Sequence, residues 1–336
     1  MHPDKQLMCE RVRRVFALLD EIIEALPIHP VHRDLLQIHA KASKEQAEAS
    51  PEVAAIQVPL LVHAAVAGDE EPALPVAAAC TLLCLGADLY DSILDHELPP
   101  FWRTRDSAEV NLTATTLMAT LPQISIARLQ SQNTTPARLW KLAHLITHSL
   151  QTMIAGEYED VLFANFENVS LEDTRAMVKR KSGSANAMFA RSGAILATED
   201  TFTIEAYAAF GLCFGTAKQL TNDVCDIWIG DRSQDLLNGK RTLPVVHALS
   251  TLRGEQDERL RALLAAARES AEHHGEVRAL LEAAGSLRYA AIMVWLYQER
   301  ARNHLAAASP RGSAGQELRT LLDQISLLPQ RKRAVP

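Results

Sequence analysis

Two groups of acidic residues stand where their neighbours are apolar. Asp88, Asp91 and Asp95 lie in "ADLYDSILDHEL", residues 87–98, and Asn222, Asp223 and Asp226 lie in "QLTNDVCDIW", residues 219–228. On a helix, spacings of three and four put Asp88, Asp91 and Asp95 on one face. The same spacing puts Asn222 and Asp226 on one face, with Asp223 beside them. Carboxylates facing one another in an apolar setting repel and take up protons. A hard divalent cation removes that conflict, and Mg²⁺ is held by few carboxylates while keeping positions open for phosphate oxygens. The alternative is that the acids face solvent, or pair with Arg103, Arg105 and Lys240. A third stretch, "KRKSGSANAMFARSGA", opens with Lys179, Arg180 and Lys181. At the start of an apolar helix these cations would oppose the helix dipole, a cost that a phosphate facing Lys181 would offset. A solvated basic turn is the alternative there.

The elements that must position these residues are helices. "RVRRVFALLDEIIEAL" places Val12, Val15, Leu18, Leu19, Ile22 and Ile23 at spacings of three and four, the pattern of an amphipathic helix. Similar patterns recur over 137–164, 171–197, 205–228, 259–274 and 286–307, and strand signals are scarce. Stretches 74–96 and 203–228 are apolar on most faces and should be central. The stripe behind the first acids is small, through Ala87, Cys84 and Cys80. Behind the second it runs through Gln219, Gly215 and Gly211. Each interior helical glycine costs about 1 kcal/mol relative to alanine, so a compensating role is expected. Two central helices lining a cavity with carboxylates at its mouth would supply it. Small Cys80, Cys84, Gly86 and Ala87 would then leave the cavity floor open. No fixed-period repeat or low-complexity linker marks a boundary, so a single all-α domain over 1–336 is expected, ending in a frayed basic tail from about 328.

Composition narrows the classes further. The chain has 336 residues, 48% of them apolar, and a net charge of −7, which implies no general affinity for nucleic acid or an anionic membrane. Five scattered cysteines suggest reduced core thiols rather than a disulfide frame, and Cys80 and Cys84 lack the partners of a zinc site. The N-terminal "MHPDKQLMCERVRR" lacks a signal-peptide core, and no uninterrupted apolar run approaches the length needed to span a bilayer. A cytoplasmic protein with no stable membrane insertion is expected.

Taken together, these segments resemble the trans-isoprenyl diphosphate synthases, part of the class I terpenoid enzymes. "DSILD", Asp91 to Asp95, resembles the family's first aspartate-rich motif, with Ser92 in its second position. "QLTNDVCD" resembles the second motif, with Asn222 in place of its first aspartate and Gln219 where expected. "GKRTLP", residues 239–244, is similar to a GKxTLP stretch and carries Lys240. Lys181 to Gly193 match a family helix in spacing. The likeness extends over about residues 50–305, in collinear order. It implies a single-domain isoprenoid synthase bundle with a central cavity, and a homodimer.

The resemblance also implies a mechanism. An allylic prenyl diphosphate, farnesyl or geranylgeranyl diphosphate, binds with its head group among about three Mg²⁺ ions. Asp91, Asp95, Asn222 and Asp226 would ligate metal, assisted by Asp223. Lys181, Lys240 and one or both of Arg103 and Arg105 would neutralise the leaving diphosphate. Gln219, Phe189, Cys84 and Ala87 would contribute to the substrate site, with Tyr90, Phe214 and Trp228 as further aromatic candidates for stabilising a cation.

The departures bear on what captures that cation. The family's lysine and two arginines that should precede "PLLVHAAVAGDEE" fall at Ala55, Ile56 and Val58, and a histidine falls at Cys84. In the family the lysine, the first arginine and the histidine hold isopentenyl diphosphate. The glutamine of another motif is Glu157. These losses favour capture by the substrate's own double bonds, a synthase-like terpene cyclase. A prenyltransferase using isopentenyl diphosphate or another acceptor, and an inactive partner subunit, are the alternatives.

Overall fold

The computed structural model describes residues 3–327, and every regular element among them is helical. From the N-terminus these are α1 (Pro3–Glu24), α2 (Pro30–Ala49), α3 (Ala54–Ala67), α4 (Leu74–Leu94), α5 (Pro100–Arg103) and α6 (Ser107–Thr115). A π-helical turn, Thr116–Thr120, joins α6 to α7 (Leu121–Ala127), and α8 (Pro136–Phe163) follows. Then α9 (Leu171–Val178) runs through a second π turn, Lys179–Gly183, into α10 (Ser184–Ala197). The chain continues through α11 (Thr201–Trp228), α12 (Gln234–Leu237), α13 (Leu243–Thr251), α14 (Glu255–Ala267) and α15 (His274–Ala283). It closes with α16 (Ser286–Ala307) and α17 (Gly312–Asp323). The basic tail expected from about 328 lies outside the described residues.

The chain divides into two compact units. Among the described residues, one takes 3–150, 186–208 and 305–318, the other 151–185, 209–304 and 319–327. The divisions fall inside helices, which is why no linker composition marks them.

In the first unit α4 packs against α1, α3, α6, α7 and the first π turn. Every residue from Pro75 to Leu83 is buried, as an all-apolar helix requires. The sequence was expected to hold no stretch suited to a membrane, yet Glu71–Leu94 is long and apolar enough to cross one. Two bent helix pairs, 30–49 with 54–67 and 271–283 with 286–307, pass the same test jointly. The reason for the difference is that a few acids at one end do not lower the apolar average enough. In the protein 72% of the most apolar window of Glu71–Leu94 is buried, so here it serves as a core helix. Beside it, buried Arg11 donates to Glu70 (2.8 Å), Glu317 (2.6 Å) and Gln57 (3.3 Å). Gln57 in turn donates to Met8 O and Pro51 O, which ties the first turn of α3 to α1.

In the second unit Ile227, Leu236, Val245, Leu260, Val277 and Leu281 centre a core built on α11–α15. A capping box starts α9: Ser170 receives the Asp173 N–H and Asp173 receives the Ser170 N–H. Helix therefore begins at Leu171, eight residues before Lys179. The Lys179–Lys181 run lies inside a helical stretch rather than at its start, and the expected conflict with the helix dipole does not arise.

Candidate active site

In the first unit, α4 ends at Leu94 with Asp91 in its last turn and Asp95 as the capping residue, whose N–H donates to Asp91 O (2.8 Å). Both side chains are half-buried, and Asp88 one turn earlier is exposed. The last turn of α4 contains no basic residue. Carboxylates there face the negative end of the helix, which costs about 0.3–1 kcal/mol each unless a cation compensates. Arg103, the last residue of α5, and Arg105, two residues beyond it, are both exposed. Arg103 Nε donates to Leu98 O (2.5 Å), and the Arg105 guanidinium lies 4.8 Å from the Phe101 ring centroid.

In the second unit the π turn presents Lys181 to α8. Its Nζ lies 2.8 Å from Glu157 Oε2 and 2.9 Å from Asp160 Oδ2. Gly156 permits this approach, because a Cβ there would sit 2.3 Å from Lys181 N. The next residue, Ser182, donates to Gln219 Oε1 (2.7 Å), and Gln219 Nε2 donates to Asp223 Oδ1 (2.8 Å). Burial pushes the Asp223 carboxyl up to about 7. The Gln219 hydrogen bond holds it down, Asp160 pushes it up, and Lys181 and Lys240 draw it back. Burial also raises Asp235 well above the usual carboxylate range, with Asp223, Asp226 and Asp160 adding to the effect and Lys240 opposing it. Lys240 Nζ stands 3.6 Å from Asp235 Oδ1. Asp160, Asp223, Asp226 and Asp235 therefore share one field with Lys181 and Lys240.

Asp226 has a structural part as well. It accepts from Ser233 Oγ and from the N–H groups of Gln234 and Asp235 (both 3.1 Å), fixing the loop into α12. Asn222 is exposed. The sequence pointed to neither Asp160 nor Asp235. Asp160 was within reach, since it follows Glu157 by three residues and so shares its face. Asp235 sits in the single turn of α12, too short to leave a periodic signal in the sequence.

Among the described residues, no three His, Cys, Asp or Glu side chains form a ready metal site. The donor chemistry nevertheless fits Mg²⁺: hard oxygens, helix C-terminal ends without basic residues, and carboxylates that burial and mutual repulsion make costly as bare anions.

The expected open floor of small residues needs correction. Cys80 is fully buried with Sγ 3.8 Å from Ser192 Oγ, and a Cβ on Gly86 would lie 2.6 Å from Met118 N. Both are small because other groups pack against them. Cys84 and Ala87 are half-buried. Among the aromatic candidates, Phe189 and Phe214 are buried, Trp228 Nε1 donates to Glu282 (2.9 Å), and Tyr90 shares a hydrogen bond with Thr115 (2.8 Å). Ala55, Ile56 and Val58 are buried in α3.

The family model for polyprenyl synthetases matches residues 104–283, more than half of the chain. The chain belongs to the polyprenyl synthetase family. The matched segment of this family contains Lys181, Gln219, Asn222, Asp226 and Lys240, and begins downstream of Asp95. One relative is the geranylgeranyl diphosphate synthase of Mycobacterium tuberculosis, 30% identical over 241 residues, which covers 67% of each protein. The (2E,6E)-farnesyl diphosphate synthase of Mycobacterium bovis is 26% identical over 264 residues and 72% of each. The fold matches that of the geranylgeranyl pyrophosphate synthetase from Pyrococcus horikoshii Ot3, with a TM-score of 0.82. That match spans 96% of this chain and 97% of the other at 21% identity. A polyprenyl synthetase from Streptomyces coelicolor A3(2) matches with a TM-score of 0.79 at 22% identity, over 95% and 99% of the two chains. The resemblance drawn from the motifs, to an all-α class I isoprenoid synthase, is thereby supported. Relatives that bear the names of chain-elongating synthases favour transfer over cyclisation.

Proposed function

We propose that this protein is a Mg²⁺-dependent prenyltransferase that ionises an allylic prenyl diphosphate and joins the resulting cation to an acceptor, isopentenyl diphosphate first among them. The observation that carries this is the placing of carboxylates at the C-terminal ends of α4 and α11, neither of which has a basic residue in its last turn. The names of the relatives add weight to transfer. Asp91 and Asp95 at the C-terminal end of α4 would hold metal, and so would Asn222, Asp223 and Asp226 on α11. Bound Mg²⁺ would draw off the negative charge that develops as the carbon–oxygen bond breaks. Lys181 and Lys240 would bind the departing diphosphate, and the exposed Arg103 and Arg105 would help neutralise it. The protein is cytoplasmic and homodimeric in this proposal, the second as the resemblance to the family implies.

Cyclisation stands as a second reading because of one observation. Where the family holds isopentenyl diphosphate with a lysine and an arginine, this chain has buried Ala55 and Ile56. The test is a product assay with Mg²⁺ and geranyl, farnesyl or geranylgeranyl diphosphate, with and without isopentenyl diphosphate. A longer prenyl diphosphate formed only with isopentenyl diphosphate supports transfer. A cyclic hydrocarbon or alcohol formed without it replaces transfer by cyclisation. No product from any substrate leaves the inactive partner subunit.

A further inference from the structure

Of the run Lys179, Arg180 and Lys181, only Lys181 has a part in the proposed reaction. Within the second unit the other two line a cavity of about 460 Å³, together with Arg175 from α9 and Arg300 and Tyr297 from α16. Glu172 is the one acid among its described lining residues. The charges there are poorly balanced. Arg180 alone has a carboxylate partner, Glu159, at 2.6 Å. Arg175 donates from Nε to Leu171 O in its own helix (3.1 Å), which neutralises nothing. Lys179 Nζ and the Arg300 guanidinium lie 5.8 Å and 5.6 Å from the centroid of the same ring, that of Tyr297, and neither has an ion pair among the described residues.

A buried aromatic ring attracts cations by its quadrupole, but it adds no negative charge to offset two of them. Arg175, Lys179 and Arg180 are also half-buried, so water screens them less than it would on an open surface. Like charges gathered in a concave, partly dry place need an anion. Guanidinium groups suit phosphate oxygens, which they bind through paired N–H donors. We infer that the cavity lined by Arg175, Lys179, Arg180, Arg300 and Tyr297 is a binding site for a small phosphate anion of the size of diphosphate. A second cavity, lined by Lys240, Arg241, Arg261 and Arg268, is the weaker candidate. Lys240 there pairs with Asp235, Arg261 pairs with Asp257, and two acids, Glu167 and Glu269, also line it.

The test is calorimetric titration of the full chain with inorganic diphosphate, and separately with phosphate, in buffer containing EDTA. Without metal the aspartate groups do not hold diphosphate, so the result is independent of whether the proposed transfer reaction is correct. The wild-type protein is expected to bind diphosphate, and phosphate more weakly. Lys179→Met keeps packing on Tyr297 without the charge. Combined with Arg300→Gln it is expected to weaken diphosphate binding at least about tenfold, in keeping with the loss of charge-assisted contacts. Arg268→Gln, in the other cavity, should bind as wild type does. If the double variant does not fold, Arg300→Gln alone, at an exposed side chain, reads the same loss. No binding by the wild-type protein would overturn the inference. So would binding that survives Lys179→Met/Arg300→Gln, or that is lost in Arg268→Gln.

Discussion

Lys181 is the residue on which most of the second unit's electrostatics turns. Its ammonium lies between Glu157 and Asp160, whose side chains are 25% and 9% exposed, and it also steadies buried Asp223. Removing one member of a fully buried ion pair costs 3–5 kcal/mol. This group is only partly buried, so Lys181→Met should lower stability by about 1–3 kcal/mol. Urea unfolding at neutral pH measures that, and product formation should fall at least about a hundredfold with the loss of a charge aimed at the leaving diphosphate. Glu157→Gln should be milder on both counts, because Asp160 remains. Two histidines in the first unit set a pH dependence of a different kind. Burial depresses both His63 and His39, although Nδ1 of His63 lies 2.6 Å from Asp69 O and Nε2 of His39 lies 3.1 Å from Leu85 O. The unfolded chain then takes up protons at a higher pH than the folded one. Their contribution to stability is full above about 6.5, the unfolded value, and is lost as pH falls through the depressed folded values. Wild-type stability should therefore drop between pH 7.5 and pH 5, and His39→Gln/His63→Gln should flatten that drop. An equal drop in the double variant would assign it to other groups.

At the scale of elements, the close approach of α8 to the second π turn decides where Lys181 points. Gly156→Ala puts a Cβ 2.3 Å from Lys181 N and 2.8 Å from Arg180 C, both backbone atoms that no rotamer change can move. The expected cost is about 1–3 kcal/mol, as for other overpacked contacts, together with a loss of activity as Lys181 shifts. Gly275→Ala in α15 is the matched control. Nothing lies within 4 Å of its Cβ, so better helix propensity should give a gain of up to about 1 kcal/mol. A thermal melt of both variants tests the sign in each. These elements also show what a sequence can and cannot disclose. The apolar character of 74–96 and 203–228 marked α4 and α11 as central, and spacing alone put the acids on common faces. The π turn left no trace, since one residue inserted into a helix barely disturbs a period of 3.6. Small residues were ambiguous in principle. They accompany close packing as well as open space, and Gly86 against Met118 proved to be the former. Asp226 looked like a metal ligand alone because its bonds to Ser233, Gln234 and Asp235 depend on a loop path that no local pattern specifies.

At the scale of the whole molecule, α8 has two faces with different demands. Gly156 and Asp160 meet the π turn, while Ile154, Tyr158 and Val161 lie on the other side, at spacings of four and three, and are 51%, 65% and 43% exposed. A row of large apolar side chains on one helix face is costly in water, and a partner chain laid on it would remove that cost. The proposed homodimer supplies such a partner. A two-fold contact sets the same stripe against itself, so each substitution acts twice in the assembly. Ile154→Glu/Tyr158→Glu would bring like charges together across that axis. Sedimentation equilibrium at micromolar concentration should give twice the chain mass for the wild-type protein and the chain mass for the double variant. Activity per chain should fall along with the mass, because the helix that loses its partner is the one that holds Glu157 and Asp160 against Lys181. A wild-type monomer would remove the dimer from the proposal. A dimeric double variant would move the contact to another face, and retained activity in a monomeric one would show that α8 holds its site without support.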